Sequence, residues 1–243
     1  YVCHLLTVRK SIVDAIELSG DEVTGAQDWD MTLKVAEKAR NIFHVRKVLY
    51  HWRSHEHSAA SNANAKPYTH KAGEIAVRNH YERIGIPVDV LDGFCGNMHR
   101  IVYHLPEKKP LVSIIIPNKD QAFMLERCLE SIWEKTTYEN FEIIIVENNS
   151  VEDETFALYE RLQAEHDNLR VVRFEGSFNY SAICNLGVTH AVGDHYLFLN
   201  NDMEVITPDW IELLLGPLQR EEVAVVGARL LYPDRTIQHD GVV

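Results

Sequence analysis

The segment Asn200-Asn201-Asp202-Met203-Glu204 follows the apolar run His195–Leu199 and gathers amide and carboxylate oxygens at the end of an expected strand. Such oxygens suit a hard divalent cation, Mg2+ or Mn2+, which in turn holds phosphates. Asn and Asp are also favoured in ordinary turns, so this segment by itself equally admits a plain strand-to-loop connection. Two similar polar groups stand after other apolar runs: Asn118-Lys119-Asp120 and Glu147-Asn148-Asn149. Near the start of the chain, Asp28 and Asp30 open an expected helix, a place where acids are common as caps. His44, His51, His55 and His57 cluster around Arg53, and a packed or surface role accounts for any one of them, as it does for His239.

The elements that must carry these groups follow from periodicity. Leu111–Ile116 is a short β-branched run bounded by Pro117, which predicts a buried strand. Leu125, Leu129, Ile132 and Trp133 recur at helical spacing. Phe141–Val146 predicts a second strand, a helix through Phe156, Tyr159 and Leu162 follows, and Leu169–Phe174 predicts a third strand. Tyr180–Ala191 reads as a helix, His195–Leu199 as a fourth strand, and a helix opens near Pro208 and runs to about Gln219. Val223–Ala228 is expected as a fifth strand. Strands alternating with helices predict an α/β fold, a Rossmann-like, mostly parallel sheet with helices on both faces. In such sheets ligands bind beyond the C-terminal strand ends. The three polar groups are thereby expected along one rim.

Before Leu111 the pattern changes. Residues 1–60 predict an α+β fragment with a strand over Val2–Val8, a helix around Trp29–Ala39 and a strand around Ile42–Leu49. Residues 61–110 read as a helical and extended linker: a helix over Ala72–Ile84, extended Val88–Leu91 and His99–His104, then the proline-bracketed Pro106-Glu107-Lys108-Lys109-Pro110. The chain begins with Tyr1, ends on Val242–Val243 in mid-pattern, and reads as a fragment of a longer protein.

Composition narrows the function. The 243 residues are 46% hydrophobic, enough for a real core, and no apolar run approaches the roughly 20 residues of a membrane helix. Tyr1–Leu6 is too short for a signal peptide, and Arg9 and Lys10 follow it rather than precede it. The net charge of −12 is uneven: residues 111–243 hold 23 acids against 9 bases, a net of −14, and residues 1–110 a net of +2. An acidic half of this kind argues against nucleic acid as a partner. The four cysteines are scattered singly without a CxxC pair, which argues against zinc and for reduced thiols in the cytosol. Neither a GxGxxG cradle nor a P-loop is present.

Four strings carry a resemblance: VSIIIPNKD (Val112–Asp120), FEIIIVENNS (Phe141–Ser150), FNYSAICNLG (Phe178–Gly187) and YLFLNNDMEV (Tyr196–Val205). In this order and spacing they resemble family 2 glycosyltransferases of the GT-A, nucleotide-diphospho-sugar transferase type. The resemblance implies that Pro117, Asn118 and Asp120 line a nucleotide pocket, with Glu147 and Asn148 near base and ribose. Asn200 and Asp202 then stand at the two ends of the metal motif, with Asn200 in place of an acid, and Asn185 and Gly187 shape the pocket behind. GAQDWDMTLKVAE (Gly25–Glu37) and IFHVRKVLYHWRSHEHS (Ile42–Ser58) resemble the other half of the same family. By that match Asp28 is the catalytic base, with Gln27 where the family often has Glu, and His51, Trp52 and Arg53 are candidates to meet the donor diphosphate.

The order is then an acceptor-side and base-bearing part (1–60), a linker (61–110) and a nucleotide-binding part (111–243), as in two tandem glycosyltransferase domains each represented by one half. The expected activity is inverting transfer of a sugar from a nucleoside-diphosphate sugar to a saccharide or lipid-linked saccharide acceptor in cell-surface polysaccharide synthesis. Mn2+ or Mg2+ is the expected cofactor. The expected setting is the cytoplasm, with at most peripheral association at the inner face of the membrane. Two alternatives stay open: a nucleotidyltransferase, for which Asn118-Lys119-Asp120 is a poor phosphate loop, and a non-catalytic carbohydrate-binding or scaffold module.

Overall fold

Three isoleucines in a row, twice, decide the architecture. In the computed structural model, which describes residues 5–51, 68–93 and 98–241, the runs around them form the two central strands of a four-stranded sheet. The chain divides into two compact units, Tyr1–His104 and Leu105–Val243.

In the second unit, strands β3 (Val112–Asn118), β4 (Phe141–Glu147), β5 (Leu169–Arg173) and β6 (His195–Phe198) pair in the order β5-β4-β3-β6. Every pairing is parallel, and Ile114, Ile115 and Ile116 lie opposite Ile143, Ile144 and Ile145. Because side chains alternate across a strand, these residues serve both faces. Ile114, Ile116, Ile143 and Ile145 pack against Leu125, Leu129 and Ile132 of helix α4 (Ala122–Lys135) and Leu158 and Leu162 of α5 (Asp153–Glu165). Ile211 and Leu215 of α7 (Trp210–Leu215) join the same core. Ile115, Ile144 and Val146 face Ile183 of α6 (Tyr180–His190) on the other side. Burying each such side chain stabilises the fold by about 1.5–3 kcal/mol, so both faces need their helices. This is the α/β, parallel-sheet layering that the alternation of elements predicts.

The expected fifth strand at Val223–Ala228 is not formed: these residues carry no regular structure, and Val225 is 86% exposed. A β-branched run needs a neighbouring edge to become a strand, and among the described residues none pairs with it. Among the described residues the short hairpin β7 (Leu230–Leu231) and β8 (Ile237–His239) follows.

The first unit holds helices α1 (Lys10–Val13), α2 (Gln27–Lys38) and α3 (Tyr68–Arg83) and the antiparallel hairpin β1 (Val88–Asp92) with β2 (His99–Tyr103). The segment 68–103, expected as linker, thus belongs to the same unit as α2. Glu37 of α2 joins the two helices, accepting from Arg83 at 2.8 Å and pairing with His80 Nδ1 at 2.7 Å. The Lys34 ammonium is buried and meets Asp30 at 2.9 Å, the Glu17 carbonyl at 2.7 Å and the Ser19 hydroxyl, which fastens the segment before α2 to its flank. Ile42–Leu49 is not a strand, with Phe43 and Val48 89% and 87% exposed, because no strand among the described residues offers it a ladder. Val2–Val8 is likewise not a strand over residues 5–8, and residues 1–4 lie outside the described residues.

Candidate functional site

Three loops leave the C-terminal ends of β3, β4 and β6, and side-chain hydrogen bonds join them. Asn118, the last residue of β3, is buried. Its Nδ2 donates to the Asp120 carbonyl at 3.0 Å and to the Tyr159 hydroxyl at 2.7 Å, while its Oδ1 accepts from Asn201 Nδ2 at 2.6 Å. Asp120 turns its carboxylate to the β4 loop, where Oδ1 accepts the Val151 and Glu152 amides at 2.7 and 3.0 Å. Those two backbone donors hold its carboxyl below the usual range. The Asp120 amide in turn donates to Ser150 Oγ at 2.8 Å.

At the end of β4, Glu147 is buried and accepts the Ser150 amide. Asn148, also buried, donates through Nδ2 to the carbonyls of Phe174 at 3.2 Å and Gly176 at 2.9 Å, and Asn149 donates to Gly176 at 2.8 Å. The side chains at this position thus hold the loop after β5, and an amide is the group able to do so. Backbone strain concentrates here: Asp120, Gln121 and Asn149 have φ of 51°, 57° and 59°, three of the four positive-φ residues other than glycine among the described residues. Such conformations cost energy and collect where loops are held for function.

The β6 loop carries the expected metal motif. Leu199 donates its amide to the Ile115 carbonyl at 3.0 Å, and the Asn200 carbonyl lies 3.7 Å from the Cys128 thiol. Burial pushes that thiol up to about 11, so it stays protonated. Glu204 pairs with Lys135 at 2.9 Å and Arg127 at 3.2 Å. The Lys135 hydrogen bond holds the Glu204 carboxyl below its usual range. Asp202 is exposed and makes no hydrogen bond or ion pair among the described residues.

These donors fit a divalent cation of a particular kind. No group of three His, Cys, Asp or Glu side chains among the described residues forms a cage for a metal. One carboxylate without a partner among the described residues, with Asn200 two residues before it, suits Mg2+ or Mn2+ bound jointly with phosphate oxygens, since such ions commonly take one or two carboxylates and complete their shell from substrate and water.

Of the residues expected at the site, Pro117, Asn118, Asp120, Glu147, Asn148, Asn200 and Asp202 all stand at the C-terminal rim of one sheet. Asn185 lies on the exposed face of α6, two residues before Gly187, whose missing Cβ lets the helix approach Ile115. Asp28 lies in the other unit, exposed in the first turn of α2, where its Oδ1 accepts the Trp29 amide at 3.0 Å. His44 and His51 are exposed, His239 lies on β8, and Trp52, Arg53, His55 and His57 are outside the described residues. Sequence reasoning missed Asn201, Tyr159 and Ser150. The signal for Tyr159 was its hydroxyl on the apolar face of α5, since a buried tyrosine oxygen needs a partner.

Two curated proteins align with all of this chain. It is 40% identical over 246 residues to protein y4gI of Sinorhizobium fredii and 37% identical over 243 residues to the O-antigen biosynthesis protein RfbC of Myxococcus xanthus. The chain spans 27% and 19% of the lengths of these relatives. Among solved structures, a mannosyltransferase of Pyrobaculum calidifontis in complex with GDP-Man and Mn2+ is 20% identical, with a TM-score of 0.44, over 66% of this chain and 44% of that one. Residues 113–239, which include the whole rim, match the model of glycosyl transferase family 2, and the chain belongs to that family.

Proposed function

We propose that residues 111–243 form the donor-binding half of an inverting glycosyltransferase domain that uses a nucleoside-diphosphate sugar and a divalent cation. The observation that carries this reading is the rim itself, where every other acid of the three loops described above has a protein partner and Asp202 has none. In this reading Asp202, with Asn200, holds Mn2+ or Mg2+. Pro117, Asn118, Asp120, Glu147, Asn148 and Asn185 shape the nucleotide pocket. When bound, the cation supplies positive charge beside the departing diphosphate.

Residues 1–60 are read as the acceptor-side part of a preceding domain, with Asp28 as its base. A carboxylate there takes the proton from an acceptor hydroxyl as that oxygen attacks the anomeric carbon and the bond to the diphosphate breaks. Attack opposite the leaving group inverts the configuration. The role of RfbC in O-antigen biosynthesis supports a saccharide or lipid-linked saccharide acceptor and a place in cell-surface polysaccharide synthesis. The proposed setting is the cytoplasm, at most at the inner membrane face; no helix among the described residues is long and apolar enough to cross a membrane.

The test is binding of UDP and of GDP with and without Mn2+, by calorimetry, to the parent chain and to Asp202→Ala. The variant is expected to keep its far-ultraviolet circular dichroism and lose the Mn2+-dependent part of the affinity. Unchanged Mn2+-dependent affinity in the folded variant sinks the assignment.

A further inference from the structure

Asp202 makes no side-chain hydrogen bond or ion pair among the described residues, so its place is set by what holds the loop around it. Downstream the loop is tied to α4: Glu204 pairs with Lys135 and Arg127, the Val205 amide donates to Ser131 Oγ at 3.0 Å, and Lys135 donates to the Val205 carbonyl at 2.8 Å. Upstream, Leu199 continues the ladder to β3. Among the described residues, a single side-chain bond joins residues 200–203 to the loops expected to hold the nucleotide: Asn201 Nδ2 to Asn118 Oδ1, at 2.6 Å.

The Asn118 amide is not free to choose its orientation. Its Nδ2 has two acceptors, the Asp120 carbonyl and Tyr159 Oη, so its oxygen must point to Asn201. Ser150 lies beside the Tyr159 hydroxyl, and its Oγ accepts the Asp120 amide. One continuous path therefore runs from α5 through β3 and the β4 loop to the residue next to Asp202.

We propose that Asn201 and Tyr159 are positioning residues for the cation: acting through Asn118, they set the register of the Asp202 carboxylate against the nucleotide loops. This rests on the reading of Asp202 as the cation's ligand. Neither residue touches the cation or the donor; each fixes the orientation of an amide that fixes a loop. A cation shared between one carboxylate and a diphosphate is sensitive to such register, because both of its anionic partners must reach it together.

The experiment measures Mn2+ uptake by the 243-residue chain from the free-ion electron paramagnetic resonance signal, at saturating UDP and separately GDP. Parent, Asn201→Ala, Tyr159→Phe, the double variant and Asp202→Ala are compared, and metal-free nucleotide affinity is measured alongside. Asn201→Ala and Tyr159→Phe are each expected to weaken Mn2+ binding about three- to tenfold, the effect of one lost hydrogen bond, while metal-free nucleotide affinity stays within twofold. The double variant is expected to be no weaker than about the worse single one, because the two act along one path. A merely structural role would lower melting temperature and metal-free affinity together and leave the Mn2+ half-saturation in place. Unchanged Mn2+ affinity in Asn201→Ala, where Asp202→Ala abolishes it, overturns the positioning role and spares the assignment of Asp202. Should Tyr159→Phe fail to fold, Asn201→Ala, at a half-buried loop position, still decides. No Mn2+ uptake by the parent, or full uptake by Asp202→Ala, overturns both readings.

Discussion

Asn148 is a buried amide that follows the buried acid Glu147, so replacing it by an acid is an instructive perturbation. Asn148→Asp changes no volume and removes the only N–H donors of a side chain that is 3% exposed. Two hydrogen bonds go with them, to the carbonyls of Phe174 and Gly176, at about 0.5–1.5 kcal/mol each. The Gly176 carbonyl keeps Asn149 as a donor, whereas the carboxylate itself faces two carbonyl oxygens. The lost bonds alone give about 1–3 kcal/mol, and repulsion with burial brings the expected loss at pH 7.5 to about 2–4 kcal/mol. The new carboxyl escapes part of this by keeping its proton, so its folded-state pKa lies above the unfolded value. Between those two values the folded state binds more protons than the unfolded state, and stability relative to the parent therefore falls as pH rises. The deficit is smallest near pH 4, grows upward through the folded pKa and then levels off. Urea unfolding followed by tryptophan fluorescence at pH 5 and pH 7.5 measures it, since Trp133 and Trp210 both lie in the unit that holds Asn148. A variant as stable as the parent at both pH values, or one whose deficit shrinks as pH rises, refutes the argument that an amide is required here.

Gly187→Ala is expected to lower stability by about 1–3 kcal/mol, because an ideal Cβ lies 2.5 Å from Ile115 Cγ2 and 3.0 Å from Val146 Cγ2 inside a packed interface; an unchanged melting temperature would contradict the close approach of α6. Lys34→Met fills the same space but leaves Asp30 buried with neither oxygen partnered, for an expected loss of about 3–5 kcal/mol in chemical unfolding of the first unit. Adding Asp30→Leu to Lys34→Met should recover most of that loss, and no recovery would show that the ion pair is not what the site lacks.

What was legible in the sequence is what is repeated and local. The isoleucine runs of β3 and β4 could be read because a strand buried on both faces leaves no polar gap, and the helices between them keep one apolar stripe each. The same signal misled at Ile42–Leu49 and Val223–Ala228, where β-branched content is high and no partner edge pairs with it among the described residues. Strand content is a property of a pair, and one sequence window shows only one member of it. Extended Val88–Leu91 and His99–His104 were legible as shapes, yet their union into a hairpin that belongs with α2 and α3 depends on contacts far apart in sequence.

The site was legible by position and less so by role. Asn118, Asp120, Glu147 and Asn148 were singled out as groups for a ligand, but each also binds protein: Asn118 orders two loops, Asp120 caps the third, Glu147 accepts a backbone amide and Asn148 holds two carbonyls. This division follows from the charge of the rim. Carboxylates gathered at the ends of neighbouring strands repel one another unless backbone amides, lysines or arginines face them, and Asp120, Glu147 and Glu204 are all faced in this way. Amides at positions 118, 148 and 201 add donors without adding charge, which lets the loops be held close while one acid stays unpartnered. Asn200, which stands in place of an acid in the metal motif, adds no charge beside Asp202, and under the proposed function this leaves Asp202 as the carboxylate to meet a cation that arrives with its phosphates.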